Sequence, residues 1–175
     1  MNLLISNGRV IDPASGFDGI AAVAVADGKI AALGEAPAGF QAERTLDATG
    51  CLVLPGLVDL AARLREPGYE HEGMLESETA AAVAGGVTSL VCPPDTDPVL
   101  DEPGLVEMLA FRTGKLQRCR LFPQGALTRG LAGEVLTEMA ALTEAGCIGF
   151  GQADVPLPST VVLQRALQYA STFGH

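Results

Sequence analysis

The sequence predicts an α/β chain, with a short all-β segment over residues 1–54 leading into alternating strands and helices over residues 55–175. Three observations carry this. Val-, Ile- and Leu-rich runs broken by turn signals fill the first part, including Asp27-Gly28 between two apolar runs. Strand starts near Leu57, Val87, Cys119 and Cys147 follow one another at intervals of 30, 32 and 28 residues. The stretches between them carry apolar residues at helical spacing, whereas the strands are continuous apolar runs, as burial on both faces demands.

In the first segment, LLISNGRVID, IAAVAVADGKIAALG and TLDATGCLVLPG read as strands. Asp27-Gly28 is a two-residue hairpin signal, because Gly tolerates the positive φ of such a turn. Asn7, Asp12 and Asp27 read as turn formers. From Leu57, GLVDLAARL reads as a buried strand and HEGMLESETAAAVAGG as a helix ending at Gly85-Gly86. VTSLVC is the next strand, followed by a Pro-rich loop and a helix from about Glu102 to Thr113. The strand RCRLFPQGAL, the helix GEVLTEMAALTEAG, the strand CIGFG and the helix STVVLQRALQYASTF complete four βα units. A doubly wound sheet and a (β/α)8 barrel both accommodate such units. LVDLAARLREPG lacks the glycines of a dinucleotide-binding turn. In either architecture the chemistry sits in the loops after the strands, here ARLREPGYEH, PPDTDPVLD, GALTRGLAG and GQADVPLPS.

Composition excludes several functions. Eleven Lys and Arg against 21 Asp and Glu give a net charge of −10, and the only lysines are Lys29 and Lys115. No basic patch for nucleic acid or anionic lipid can be built from that. The start, MNLLISNGRVID, lacks a signal peptide's basic n-region and long apolar run, and the chain has no apolar window of about 18 residues. A cytoplasmic protein is expected. Cys51, Cys92, Cys119 and Cys147 each sit in an apolar run without a CxxC pair, which predicts reduced core thiols.

Several segments resemble the dihydroorotases of the amidohydrolase superfamily: NGRVIDPASG, GCLVLPGLVDLAARLREPG, GGVTSLVCPPDTDPVLDEP and GALTRGLAGEVLTEMAALTEAG. The resemblance implies a (β/α)8 barrel flanked by a small β-sandwich, of which this chain holds the leading β segment and the first four units. It also implies zinc chemistry that interconverts N-carbamoyl-aspartate and dihydroorotate in pyrimidine biosynthesis. A barrel of about 250 residues needs eight units, so the chain is expected to be part of a larger protein.

The resemblance implies a His-x-His pair on the first barrel strand, but Ala61 and Arg63 stand there. Alanine has no donor atom, and a guanidinium stays protonated. Gln152 and Ala153 occupy the two aspartate positions after the fourth strand, and Asp154 falls on a glycine position. Some relatives use a carboxylated lysine, but neither Lys29 nor Lys115 lies near a strand end on this reading. The two histidines, His71 and His175, read as a solvated helix-start residue and a chain-terminal one. No zinc or other cofactor is expected. Arg65 matches the arginine that grips the substrate carboxylate, and Asp95 replaces the substrate-binding asparagine. Both are read as a vestigial substrate site, with no catalytic residue assigned.

The joint appearance of a cation and an anion predicts an Arg63–Asp95 ion pair filling the vacated metal cavity, with Arg65 nearby. The alternative is independent drift at unused positions. The loop PPDTDPVLDEP supplies helix-capping acids, Arg129 is a solvated loop residue, and Glu72, Glu76 and Glu78 form one charged helix start. The resemblance thus implies a non-catalytic pseudo-dihydroorotase that assembles with aspartate transcarbamoylase catalytic chains, itself a homo-oligomer. The alternative is a cyclic amidohydrolase with altered or residual activity.

Overall fold

The computed structural model describes residues 1–175, and the chain divides into two compact units, Met1–Pro55 and Gly56–His175.

The first unit is one sheet built around β1 (Leu3–Asp12). β2 (Phe17–Ala26) pairs antiparallel with β1, and β3 (Lys29–Gly34) pairs antiparallel with β2. Asp27 and Gly28, at φ 51° and 72°, form the two-residue turn between them. The other edge of β1 is shared by β4 (Arg44–Asp47) and β5 (Leu52–Val53), both parallel to it. Asp12 is a turn residue whose carboxylate accepts the Ala14 N–H and the Ser15 hydroxyl. Asn7 is not: it lies inside β1 at a register shift, at φ 65°, with Nδ2 donating to Asp47 at 3.0 Å. A short amide side chain tolerates the left-handed conformation that this bulge imposes. Next to it, a Cβ on Gly8 would stand 2.5 Å from the Val53 side chain, so the close approach of β5 requires glycine.

In the second unit, β6 (Leu57–Asp59), β7 (Val87–Cys92) and β8 (Arg120–Pro123) form a parallel sheet in that order. β9 (Gly125–Ala126) continues β8 beyond Gln124 and pairs in parallel with β10 (Phe150–Gly151). The helices are α1 (Leu75–Ala84), α2 (Pro103–Leu116), α3 (Met139–Glu144) and α4 (Thr160–Ser171). Leu64, Leu75, Leu90, Leu100 and Leu109 form the main core. Smaller clusters join α2 to α3 through Val106 and Leu142, and α3 to α4 through Met139, Ala166 and Ala170.

Strand and helix types match the sequence pattern, with four departures. β6 is not buried: Leu57, Val58 and Leu60 are at least half exposed, because β6 pairs with β7 on one edge alone. The helix expected over GEVLTEMAALTEAG is confined to α3. Leu136 instead bridges Thr128, and the Thr137 hydroxyl donates to the Ala126 carbonyl at 2.6 Å, which holds this stretch extended. Such side chain–backbone bonds compete directly with helix formation. In CIGFG only Phe150–Gly151 is strand, since the Cys147 N–H is taken by the Leu142 carbonyl at the end of α3. Finally, Lys29 does begin a strand, β3 of the first unit, while Lys115 lies in the last turn of α2. No helix is long and apolar enough to cross a membrane.

Candidate functional site

The loops after β6, β7, β9 and β10 bring the singled-out residues together. The Ala62 N–H donates to the Val91 carbonyl at 2.9 Å and Leu64 is buried, so the chain beyond β6 is fixed on either side of Arg63. The Arg63 side chain extends two nitrogens to two carboxylates. Nε donates to Asp95 Oδ2 at 2.6 Å, and Nη2 donates to Asp154 Oδ2 at 2.6 Å. Arg63 and Asp95 are half-buried, and Asp154 is exposed. The Asp95 hydrogen bond and charge, followed by the weaker influence of Asp154, raise the Arg63 pKa above its already high ordinary value. The expected Arg63–Asp95 pair is therefore present. Asp154 joins it, which the sequence reading missed; its signal was an acid just beyond the fourth strand, two residues after Gln152.

Asp95 is placed by the loop after β7, where the Thr96 hydroxyl donates to the Pro98 carbonyl and the Leu100 N–H to the Pro94 carbonyl. Asp154 is placed by Gln152, which is buried and fully engaged. Gln152 Oε1 accepts the Thr128 hydroxyl at 3.0 Å, Nε2 donates to the Leu131 carbonyl at 2.8 Å, and Thr128 in turn accepts the Gly133 N–H. Both ends of the amide are thus committed to the loop after β9. Ala153, between Gln152 and Asp154, adopts φ 48° and turns the chain outward.

Arg65 stands on the same loop as Arg63 but in a left-handed conformation, φ 65°, and its Nε faces Glu72 at 3.1 Å rather than Asp95. Glu72 lies before α1 and serves as this partner, so the three-carboxylate helix start reduces to Glu76 and Glu78 in the first turn. His71 is exposed, 3.8 Å from Glu72, ahead of the helix. His175 contacts the Thr143 hydroxyl and the Phe150 ring edge. The space lined by Arg63, Arg65, Tyr69, Asp95 and Thr96 measures about 10 Å3, room for no more than one water.

Glu66 was not singled out from sequence, yet it anchors this loop. Its carboxylate is 1% exposed, accepts the Leu75 N–H at the start of α1 at 2.8 Å, and is ion-paired with Arg112 of α2. Opposite it, a Cβ on Gly68 would stand 2.3 Å from the Asp97 carbonyl oxygen, so the first two loops interlock there through a glycine at φ 101°. The acids of the Pro-rich loop do not cap α2: Asp101 accepts the Gly130 N–H at 2.7 Å, and Glu102 makes no capping bond. Arg129 is exposed, 3.4 Å from Glu138. Cys92 and Cys147 are buried, Cys119 is half-buried, and Cys51, ahead of the short edge strand β5, is exposed rather than core. All four are free thiols. Burial pushes the Cys92 thiol up to about 11 and that of Cys147 up to about 12.

The residues at the implied metal positions do not fit zinc. Ala61 has no donor, Arg63 is a paired cation, Gln152 has spent its oxygen on Thr128, and Ala153 has no donor. Nor do any three His, Cys, Asp or Glu side chains converge anywhere in the chain.

A family model described as dihydro-orotase-like matches residues 50–174. The chain is 50% identical over 173 residues to a dihydroorotase-like protein of Pseudomonas putida, covering 99% of this chain and 41% of that protein. It is 45% identical to a dihydroorotase of Pelobacter propionicus, covering 97% of this chain and 40% of that one. The chain thus spans about two fifths of the length of these curated relatives. An L-hydantoinase from Arthrobacter aurescens superimposes with a TM-score of 0.81 at 23% identity, over 98% of this chain and 39% of that structure, a likeness of fold. A solved dihydroorotase gives a TM-score of 0.63 at 16% identity, over 99% of this chain and 49% of that structure. By the match over residues 50–174, in which every loop described above lies, the chain belongs to the dihydro-orotase-like family.

Proposed function

We propose that this chain belongs to a non-catalytic dihydroorotase-like protein of pyrimidine biosynthesis, whose zinc site has been replaced and whose work is structural. On this reading Gly56–His175 is the first half of a (β/α)8 barrel, and the complete protein assembles in the cytoplasm with aspartate transcarbamoylase catalytic chains. Arg65 and Asp95 are remnants of a substrate site. The observation that carries the reading is the state of Arg63, a guanidinium bonded to Asp95 and Asp154 at the position of a metal-binding histidine. Without a metal to lower the pKa of a bound water, amide hydrolysis lacks its nucleophile at neutral pH. Asp95 also presents a negative charge to a dianionic substrate in place of an amide donor. The likeness to proteins named dihydroorotase-like, at 50% identity, supports the dihydroorotase-like part of the reading.

The test uses the full-length protein. It is expected to co-elute with the aspartate transcarbamoylase of its own organism in gel filtration and to show no turnover of dihydroorotate. Failure to co-elute or to alter that enzyme's activity contradicts the assembly role. The 45% identity to a protein named dihydroorotase favours the second reading, a cyclic amidohydrolase with altered or residual activity. Zinc-dependent turnover establishes that reading in place of the first.

A further inference from the structure

The loops after β6, β7 and β10 meet at one cation that the protein itself supplies. Each participant is set by its own backbone: Arg63 by the Ala62–Val91 bond and the buried Leu64, Asp95 by the Pro94–Leu100 loop, and Asp154 by the buried Gln152 two residues earlier. The two carboxylates come from different loops and take different nitrogens of one planar group, each at 2.6 Å. A guanidinium offers such separately directed nitrogens in a fixed fork, whereas an ammonium concentrates its donors on one nitrogen.

We propose that Arg63 is a built-in structural cation, which clamps the loops after β6, β7 and β10 together where the family's barrel would otherwise hold a metal. The inference rests on the metal-free reading above and adds a role to it. Removing Arg63 leaves two carboxylates sharing one mouth with no cation between them, so both loops are released together. The clamp resists chelators. The pairing with Asp95 raises the guanidinium pKa further, so the cation itself is never lost by deprotonation. The Asp95 arm is the stronger, since its half-buried carboxylate is less screened than the exposed Asp154.

Amide hydrogen exchange of the full-length protein, read by mass spectrometry with and without EDTA, tests this. For the wild type, EDTA is expected to leave exchange over residues 95–101 and 151–156 unchanged. Arg63→Met is expected to accelerate both segments about tenfold, the size of one charged hydrogen bond, while α2 residues 103–116 stay as protected as before. Arg63→Lys restores one segment at most. If Arg63→Met also deprotects 103–116 by unfolding the domain, Asp154→Asn becomes the deciding variant, expected to accelerate 151–156 alone. Unchanged exchange in Arg63→Met, or in Asp154→Asn where that variant decides, overturns the clamp in a protein free of zinc and leaves the metal-free reading standing. Acceleration by EDTA together with stoichiometric zinc overturns both.

Discussion

Glu66 and Leu75 are joined by a hydrogen bond of 2.8 Å, from the first N–H of α1 to a carboxylate that is 1% exposed. A helix start leaves such donors without intrahelical partners, and a carboxylate there also complements the helix dipole. The other oxygen of Glu66 meets Arg112 of α2. One buried side chain therefore ties the loop bearing Arg63 and Arg65 to two helices.

Glu66→Ala is expected to destabilise the protein by about 2–3 kcal/mol, since it removes a helix cap and leaves Arg112 without its partner. Glu66→Gln retains an acceptor for Leu75 and is expected to cost about 1 kcal/mol. Urea denaturation of the two variants checks the order. Equal losses show that the ion pair, not the cap, dominates.

Gln152 stands where the resemblance implies an aspartate, and Gln152→Asp restores the family's residue type. Restoration is nonetheless expected to destabilise by about 2 kcal/mol, because the shorter carboxylate cannot donate to the Leu131 carbonyl and is buried. Gln152→Glu reaches as far but still lacks the donor, and is expected to fall on the same side. Thermal unfolding of both variants measures this; a gain in stability from Gln152→Asp argues that the position still favours an acid.

The buried thiols predict an alkaline weakness. Below pH 9.0 Cys92 and Cys147 are protonated in the folded and unfolded chain alike. Above it the unfolded chain releases both protons, while the folded chain holds them until about 11 and about 12. The folded state then binds more protons, so stability falls as pH rises through that window. Denaturant midpoints measured from pH 8 to 11 are expected to decline less steeply in a Cys92→Ala, Cys147→Ala double variant than in the wild type. In the native protein at pH 8, a maleimide is expected to modify the exposed Cys51 first and leave Cys92 and Cys147 untouched.

Much of this was legible in the sequence because it depends on local pattern. Asp27-Gly28 specifies its turn by backbone chemistry alone, and the spacing of apolar residues in Pro103–Leu116 specifies a helix regardless of neighbours. The exposed β6 was not legible: Leu57, Val58 and Leu60 make an apolar run, and burial depends on a second partner strand that the run does not encode. Residues 133–138 failed as a helix because Thr128 and Thr137 form tertiary bonds that override helical spacing. At the site, the new charges at Arg63 and Asp95 were readable as a pair, since both stand at strand ends of adjacent units. Asp154 and Glu66 were hidden because their partners are set by tertiary structure: Arg63 lies 91 residues from Asp154, and Arg112 reaches Glu66 from α2. Nothing local distinguishes a clamping carboxylate from a solvated one.

Metal content of the purified full-length protein is the most direct test of the central claim, that the family's zinc site has been exchanged for Arg63 and its two carboxylates. Inductively coupled plasma mass spectrometry, after growth in zinc-supplemented medium and without chelator, is expected to find far less than one zinc per chain. One or more zinc ions per chain, bound stoichiometrically and lost when Asp95 or Asp154 is replaced, would contradict the account.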